Sequence, residues 1–258
     1  MTKIFLLKPK PLILLLFSLS IVLVPLTVNA APQIEILDSH TSFIDSIGYF
    51  NVVGEVHNVG DQAANNVFVT ATFYNAANEV VGTPVNNIAL EVLLPDRKSP
   101  FRVEFINVGQ SALVDHYSLE IEFTPTDSIP KQLQIASHTS SVDVGFSLFE
   151  INGEVENTGD STATYVRVFA TCYDEAGNVI QVGGDYTEPV NVGASQKVSF
   201  TLLIDHENPD LIDSYVLTAE SENYALIPEF SSLLLIILTF TVVSICLLLY
   251  KRSIIKNP

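Results

Sequence analysis

The chain has 258 residues, enough for about two ordinary domains, with 12 Lys and Arg against 29 Asp and Glu and a formal net charge of −17. Five His, two Cys, one Met and no Trp leave few metal ligands, thiol nucleophiles or cofactor-shell residues, which points away from an enzyme and toward binding or architecture. Every acidic residue lies between Ala31 and Phe230, where 6 basic residues face 29 acidic ones, a balance of −23. Such a surface repels phosphate backbones, so nucleic acid is excluded as a partner.

In chain order, Lys3, Lys8 and Lys10 precede an apolar run from Pro11 to Val28, and Val28-Asn29-Ala30 puts short residues where a signal peptidase reads. Residues 1–30 are expected to be a secretory signal peptide, cleaved between Ala30 and Ala31. Pro25 breaks a helix and argues against an uncleaved anchor.

The exterior part is duplicated. Val53 to Gly82 aligns without a gap on Asn152 to Gln181, and 14 of the 30 pairs are identical, too many for unrelated strands. The shared frame G-E-V-x-N-x-G-D stands at Gly54 to Asp61 and again at Gly153 to Asp160. Ser-His-Thr-Ser at 39–42 recurs at 137–140, and Tyr117 recurs as Tyr215, a repeat of about 98 residues. The expected modules are 31–130 and 131–228. No Pro-rich, Ser-rich or charged linker separates them, so they are expected to meet end to end with little freedom.

Each module reads as strands. Phe50, Val52, Gly54 and Val56 alternate with polar neighbours, as do Phe149, Ile151, Gly153 and Val155, the period-2 pattern of a half-buried strand. Val67, Val69, Ala71 and Phe73 predict a second strand, matched by Val166, Val168, Ala170 and Cys172. Asn-x-Gly-Asp between them is a turn, because Asn and Gly accept positive φ and Asp bonds its own backbone. Further strands are predicted at Phe101, Val103 and Phe105 and from Tyr117 to Phe123, paralleled by Val198 to Leu202 and Tyr215 to Ala219. Helical periodicity is absent from 31 to 228. The expected fold is all-β, two tandem immunoglobulin-like β-sandwich modules.

After the second module, residues 231–250 carry no charge, and twenty residues at about 1.5 Å each span a hydrocarbon core of roughly 30 Å. Lys251, Arg252 and Lys256 follow, so 251–258 is expected to be a cytoplasmic basic tail, 231–250 a transmembrane helix, and the modules extracellular.

Chemistry-bearing residues are sparse. Cys172 aligns with Phe73 and is expected in a core, and its only possible partner, Cys246, lies in the expected span, so no disulfide is anticipated. His40 and His138 recur but lack any local second ligand, and His57, His116 and His206 read as surface residues. Asp115 and Asp213 stand two before Tyr117 and Tyr215, as at a strand corner where a tyrosine hydroxyl bonds backbone. No nucleophile elbow, zinc-protease motif or phosphate loop occurs. Calcium is the one cofactor worth weighing, through Asp61, Asp160, Asp174, Glu175 and Asp185, although no loop shows the dense Asp and Asn alternation that surrounds a hard cation. The expectation is no cofactor and no catalytic residue.

The frame G-E-V-x-N-x-G-D, the alternating valines after it, and Tyr173-Asp174 with Gly177 resemble the FxLYD domain. That resemblance implies a sandwich module of secreted archaeal and bacterial proteins with ligands mostly undefined. Pro228-Glu229-Phe230 directly before an apolar span and a short basic end is similar to the PEF-CTERM signal of archaeal surface proteins. It implies an archaeosortase-like enzyme that cuts near the tripeptide and transfers the protein to an envelope lipid. The functional expectation is a non-enzymatic cell-surface protein that displays two interaction modules to an envelope protein or glycan. The alternative is a solute-binding or accessory subunit of an envelope transporter or enzyme complex.

Overall fold

The computed structural model describes residues 31–143 and 145–227, and over them the protein is all-β. The expected signal peptide with Ala30, the tripeptide Pro228, Glu229 and Phe230, the span at 231–250 and the basic tail lie outside the described residues. Among the described residues no helix is long and apolar enough to cross a membrane.

In the first half the strands are β1 (Ile34–Ile36), β2 (Thr41–Ile44), β3 (Phe50–Asn58), β4 (Ala63–Tyr74), β5 (Val80–Gly82), β6 (Val85–Asn87), β7 (Val92–Leu93), β8 (Lys98–Phe105) and β9 (His116–Thr126). One helical turn, α1 (Val108–Ser111), is capped by Asn107. β1 and β2 pair in succession along one edge of β3, and β8 pairs along the other. β4 takes β9 on one edge and β5, β6 and β7 on the other. Between these two sheets lies one core, with Val52, Val56, Phe101 and Val103 from the first and Val67, Val69, Ala71 and Phe73 from the second.

The second half adds β10 (Lys131–Asp143), β11 (Leu148–Asn157), β12 (Arg167–Tyr173), β13 (Val179–Tyr186), β14 (Lys197–Asp205), β15 (Ser214–Glu220) and β16 (Ala225–Leu226). They form one seven-stranded sheet in the order β13-β12-β15-β16-β10-β11-β14. β16, the central strand, joins β13-β12-β15 to β10-β11-β14, antiparallel to β15 and parallel to β10. Ile151, Val155, Val168, Ala170, Cys172, Phe200 and Leu202 are buried inside it.

The repeated frame has a physical reading in both halves. Gly54 stands opposite Phe101 and Gly153 opposite Phe200. A Cβ at Gly54 would lie 2.7 Å from the Phe101 ring, and one at Gly153 2.5 Å from Phe200, so each glycine is the seat of a cross-strand aromatic ring. The Asn of the frame is fully buried in each copy. Asn58 Nδ2 donates to Gln62 O at 2.8 Å and Leu93 O at 3.0 Å, while its Oδ1 accepts from Gly60 N–H at 3.1 Å. Asn157 repeats the pattern with Ser161 O at 2.8 Å, Val192 O at 2.9 Å and Gly159 N–H at 2.9 Å. One side chain thereby ties the turn to a neighbouring segment and bonds three backbone groups.

Two expectations fare differently. β11 alternates in burial as its sequence predicts, but β3 is buried on both faces from Asn51 to Val56. The halves do not meet only end to end: β13 lies against the outer face of β3, with Val179 N–H donating to Ser39 O at 2.8 Å and Thr41 Oγ1 donating to Val179 O. Val53, fully buried, replaces the exposed Asn152 of the second copy, and that unmatched apolar residue is the trace of the junction in the sequence.

Phe73 is fully buried, with its ring 5.1 Å from Phe50 and 5.4 Å from Phe105. Phe73→Ala is expected to cost roughly 3–5 kcal/mol in urea unfolding, through lost transfer and a residual cavity. Asn157→Ala leaves the buried Gly159 N–H without its partner and removes one bond each from the Ser161 and Val192 carbonyls, at roughly 1–3 kcal/mol. An effect of either below about 0.5 kcal/mol, the size of an ordinary surface substitution, would contradict these assignments.

Candidate functional site

The junction is built from two outward strand faces. On β12, Phe169, Thr171 and Tyr173 alternate with the core residues Val168, Ala170 and Cys172, and yet Phe169 and Thr171 are buried too. Phe169 belongs to the core cluster of the first half. Opposite stand Val53 and Glu55, the latter 3% exposed and 3.6 Å from Lys98 Nζ. Burial holds the Tyr173 phenol well above its ordinary value, with the Glu55 carboxylate adding to the effect.

A second carboxylate crosses the junction. Glu220 is 6% exposed, and its oxygens accept from the Glu91 N–H at 2.6 Å and the Val92 N–H at 3.3 Å. Arg97, from the other half, donates through Nη2 to Thr218 Oγ1 and Ala219 O, both at 2.8 Å. Its Nη1 is buried without a hydrogen-bond partner among the described residues. Burial raises Glu220 to about 7, against the opposing pull of the two N–H groups and Arg97. Burial likewise lowers the Arg97 value, with Glu220 opposing. Neither charge is fully repaid for leaving water.

Beside this pair runs a groove. A cavity of about 760 Å³ is lined by Asn65, Asn66, Asn86 and Asn87 from the first half and by Arg167 and Phe169 from the second. A smaller one of about 210 Å³ shares Ala89, Glu91, Arg167 and Phe169 with it and adds Tyr165, Tyr186 and Glu222. The Arg167 guanidinium lies 4.7 Å from the Phe169 ring centroid and 5.3 Å from that of Tyr186, a cation–π contact with each. Its Nε is buried, and among the described residues the side chain makes no hydrogen bond or ion pair. Arg102, by contrast, is engaged by Asn51 at 2.8 Å and Glu104 at 3.3 Å.

The residues singled out by sequence are scattered. Asp61 accepts from Ala31 N–H at 2.7 Å, and Asp160 accepts from Ser161 Oγ at 3.2 Å. The Asp174 carboxyl is held below its ordinary value by the Asn178 side chain and backbone N–H. With Glu175 it borders an open cleft that also holds Asp210 and Asp213. Asp185 accepts from Tyr186 N–H at 2.7 Å. Among the described residues no group of three His, Cys, Asp or Glu is placed to hold a metal ion. His40 and His138 are partners of the repeated tyrosines: His40 Nδ1 lies 2.8 Å from Tyr117 Oη and His138 Nδ1 lies 2.7 Å from Tyr215 Oη. The tyrosine hydroxyls therefore meet histidine where the sequence suggests a backbone partner. Cys172 is fully buried, and desolvation pushes its thiol up to about 12. Sequence reasoning missed Tyr165, Arg167, Tyr186 and Glu220. For the first three the signal was the reverse of the one sought, because those positions differ between the copies: Asn66, Phe68 and Asn87 stand where the second has Tyr165, Arg167 and Tyr186, whereas Glu220 recurs as Glu122 and only its surroundings differ.

No family model matches the chain, and no curated protein does. Among solved structures, red sea bream transglutaminase is similar over 75% of this chain and 29% of its own length, at 10% identity and a TM-score of 0.24. This chain thus spans under a third of that protein, and a likeness so low carries no argument.

Glu220 gives the junction a pH dependence. Its folded value of about 7 lies above the ordinary 4.5, so the folded chain holds the proton more tightly than the unfolded one. The stabilisation is complete below about pH 4.5 and is lost as pH rises through 7, by an amount on the order of 3 kcal/mol. Glu220→Gln is expected to flatten the pH dependence of the urea midpoint between pH 4.5 and 7.5. An unchanged slope in the variant would contradict the assignment.

Proposed function

We propose that the chain is a non-enzymatic cell-surface protein that presents two immunoglobulin-like β-sandwich modules, 31–130 and 131–228, from a membrane anchor at 231–250. The observation that carries this reading is the groove at the junction, where both copies contribute side chains to one concave polar surface. Its larger cavity falls within the roughly 300–1,000 Å³ of small-ligand sites. The same volume favours the second reading, a solute-binding or accessory subunit of an envelope complex. The two histidines of the repeat are engaged by tyrosines and the Cys172 thiol is inert at neutral pH, which speaks for binding over catalysis.

Export fits the position of Ala31. Cleavage after Ala30 leaves an α-ammonium whose nitrogen lies 2.7 Å from Asp61 Oδ1, turning a neutral hydrogen bond into a charge-assisted one. The repeat frame supports an FxLYD-type module, and Pro228-Glu229-Phe230 supports sorting by an archaeosortase-like enzyme, with envelope lipid replacing the span.

Fractionation and mass spectrometry test this reading. The chain should stay with membranes through high salt and leave with detergent. It should begin at Ala31 and be degraded by protease added to intact cells. A C-terminal peptide ending at Pro258 identifies a retained span, and loss near Pro228 with an added lipid mass identifies sorting. Recovery from the soluble cytoplasm with residues 1–30 attached would contradict the proposal.

A further inference from the structure

The two copies use equivalent positions differently at the groove. Arg167 pairs across the ladder with Tyr186, as Phe68 does with Asn87, so Tyr165, Arg167 and Tyr186 of the second half correspond to Asn66, Phe68 and Asn87 of the first. Both members of the first of these pairs have a left-handed backbone, with φ of 48° at Asn66 and 53° at Tyr165. Asparagine tolerates that conformation, whereas an aromatic side chain is strained in it. The strained tyrosine is nevertheless 55% exposed, and Tyr186 is 44% exposed. A fold-maintaining role explains neither the strain nor the exposure, since the first copy shows that Asn serves the backbone as well.

We propose that this groove binds a neutral saccharide chain, with Tyr165 and Tyr186 as stacking platforms and Arg167, Glu91 and Glu222 bonding sugar hydroxyls. This inference rests on the reading of the chain as a surface-displayed binding protein and names the ligand class of the same site. Exposed aromatic faces match the C–H face of a pyranose ring, and the Arg167 guanidinium, which lies over the Phe169 and Tyr186 rings and has no hydrogen-bond partner among the described residues, keeps N–H groups for paired oxygens. The cavity continues into carboxamides such as that of Asn87, a group able to donate and accept at once, which suits hydroxyls better than acyl chains. Charge selects a neutral ligand: Glu91 and Glu222 flank the arginine, and the exterior balance of −23 repels an acidic polymer.

The full-length chain, purified in detergent, is titrated by calorimetry with neutral hexasaccharides: α-1,4-glucan, β-1,4-glucan, β-1,3-glucan and α-1,6-mannan. Polygalacturonate and a proline decapeptide are run beside them. At least one neutral chain should bind and be recovered uncleaved. Tyr165→Asn and Tyr186→Asn, which install the residues of the first copy, should each weaken that binding tenfold or more, with the Tyr165→Asn melting temperature unchanged or raised. Absence of binding by all four neutral chains overturns the saccharide assignment, as does binding that both variants leave intact. Proline-peptide binding lost in the same variants also overturns it while leaving the display reading standing. Shortened saccharide products would instead overturn the non-enzymatic reading.

Discussion

A β-strand in a two-layer fold buries one face in its own core and leaves the other to solvent or to a second body. β3 and β12 have both faces covered because the halves meet there, with β13 over β3 and β12 against β8. The remaining features of the junction follow from this. Glu55 is out of water because β13 lies over β3, and Phe169 joins a core that its own half does not contain.

That contact concentrates the scarce cations. Of the six basic residues between 31 and 230, Arg97, Lys98, Arg102 and Arg167 sit on the strands or loops that meet at the junction. Three of them answer carboxylates or carbonyls: Arg97 reaches Ala219, Lys98 approaches Glu55, and Arg102 meets Glu104. Among the described residues Arg167 answers only aromatic rings. In a surface so acidic, a guanidinium without an anionic partner keeps its in-plane donors for a ligand, and this difference separates the groove from the structural pairs beside it.

The fold was legible because the chain was read twice. Gly54 and Gly153, Asn58 and Asn157, and the tyrosines at 117 and 215 recur because each copy needs a seat for a cross-strand ring, a lock for a turn and a partner for a histidine. Alternation marked the strands, since a buried face imposes a period of two on any copy. The site was not legible by the same method. Identity between copies reports what each module needs alone, whereas a junction that joins unlike faces appears as difference. The difference of Val53 from Asn152, and of Tyr165 from Asn66, takes its meaning only from what lies on the outer faces. The carboxylates chosen as calcium candidates stand on turns, where Asp61 and Asp174 bond backbone N–H groups.

The central claim is that the halves are energetically joined where β12 and β13 pack on the outer faces of β3 and β8, which makes cooperativity the decisive observable. Urea unfolding of the full-length chain in detergent, followed by far-ultraviolet circular dichroism and by tyrosine fluorescence, should give one coincident transition. Val53→Asn combined with Phe169→Thr gives each outer face the residue of its counterpart in the other copy and should split that transition into two. Two separate transitions in the parent chain, or a single coincident one in the double variant, would contradict the account.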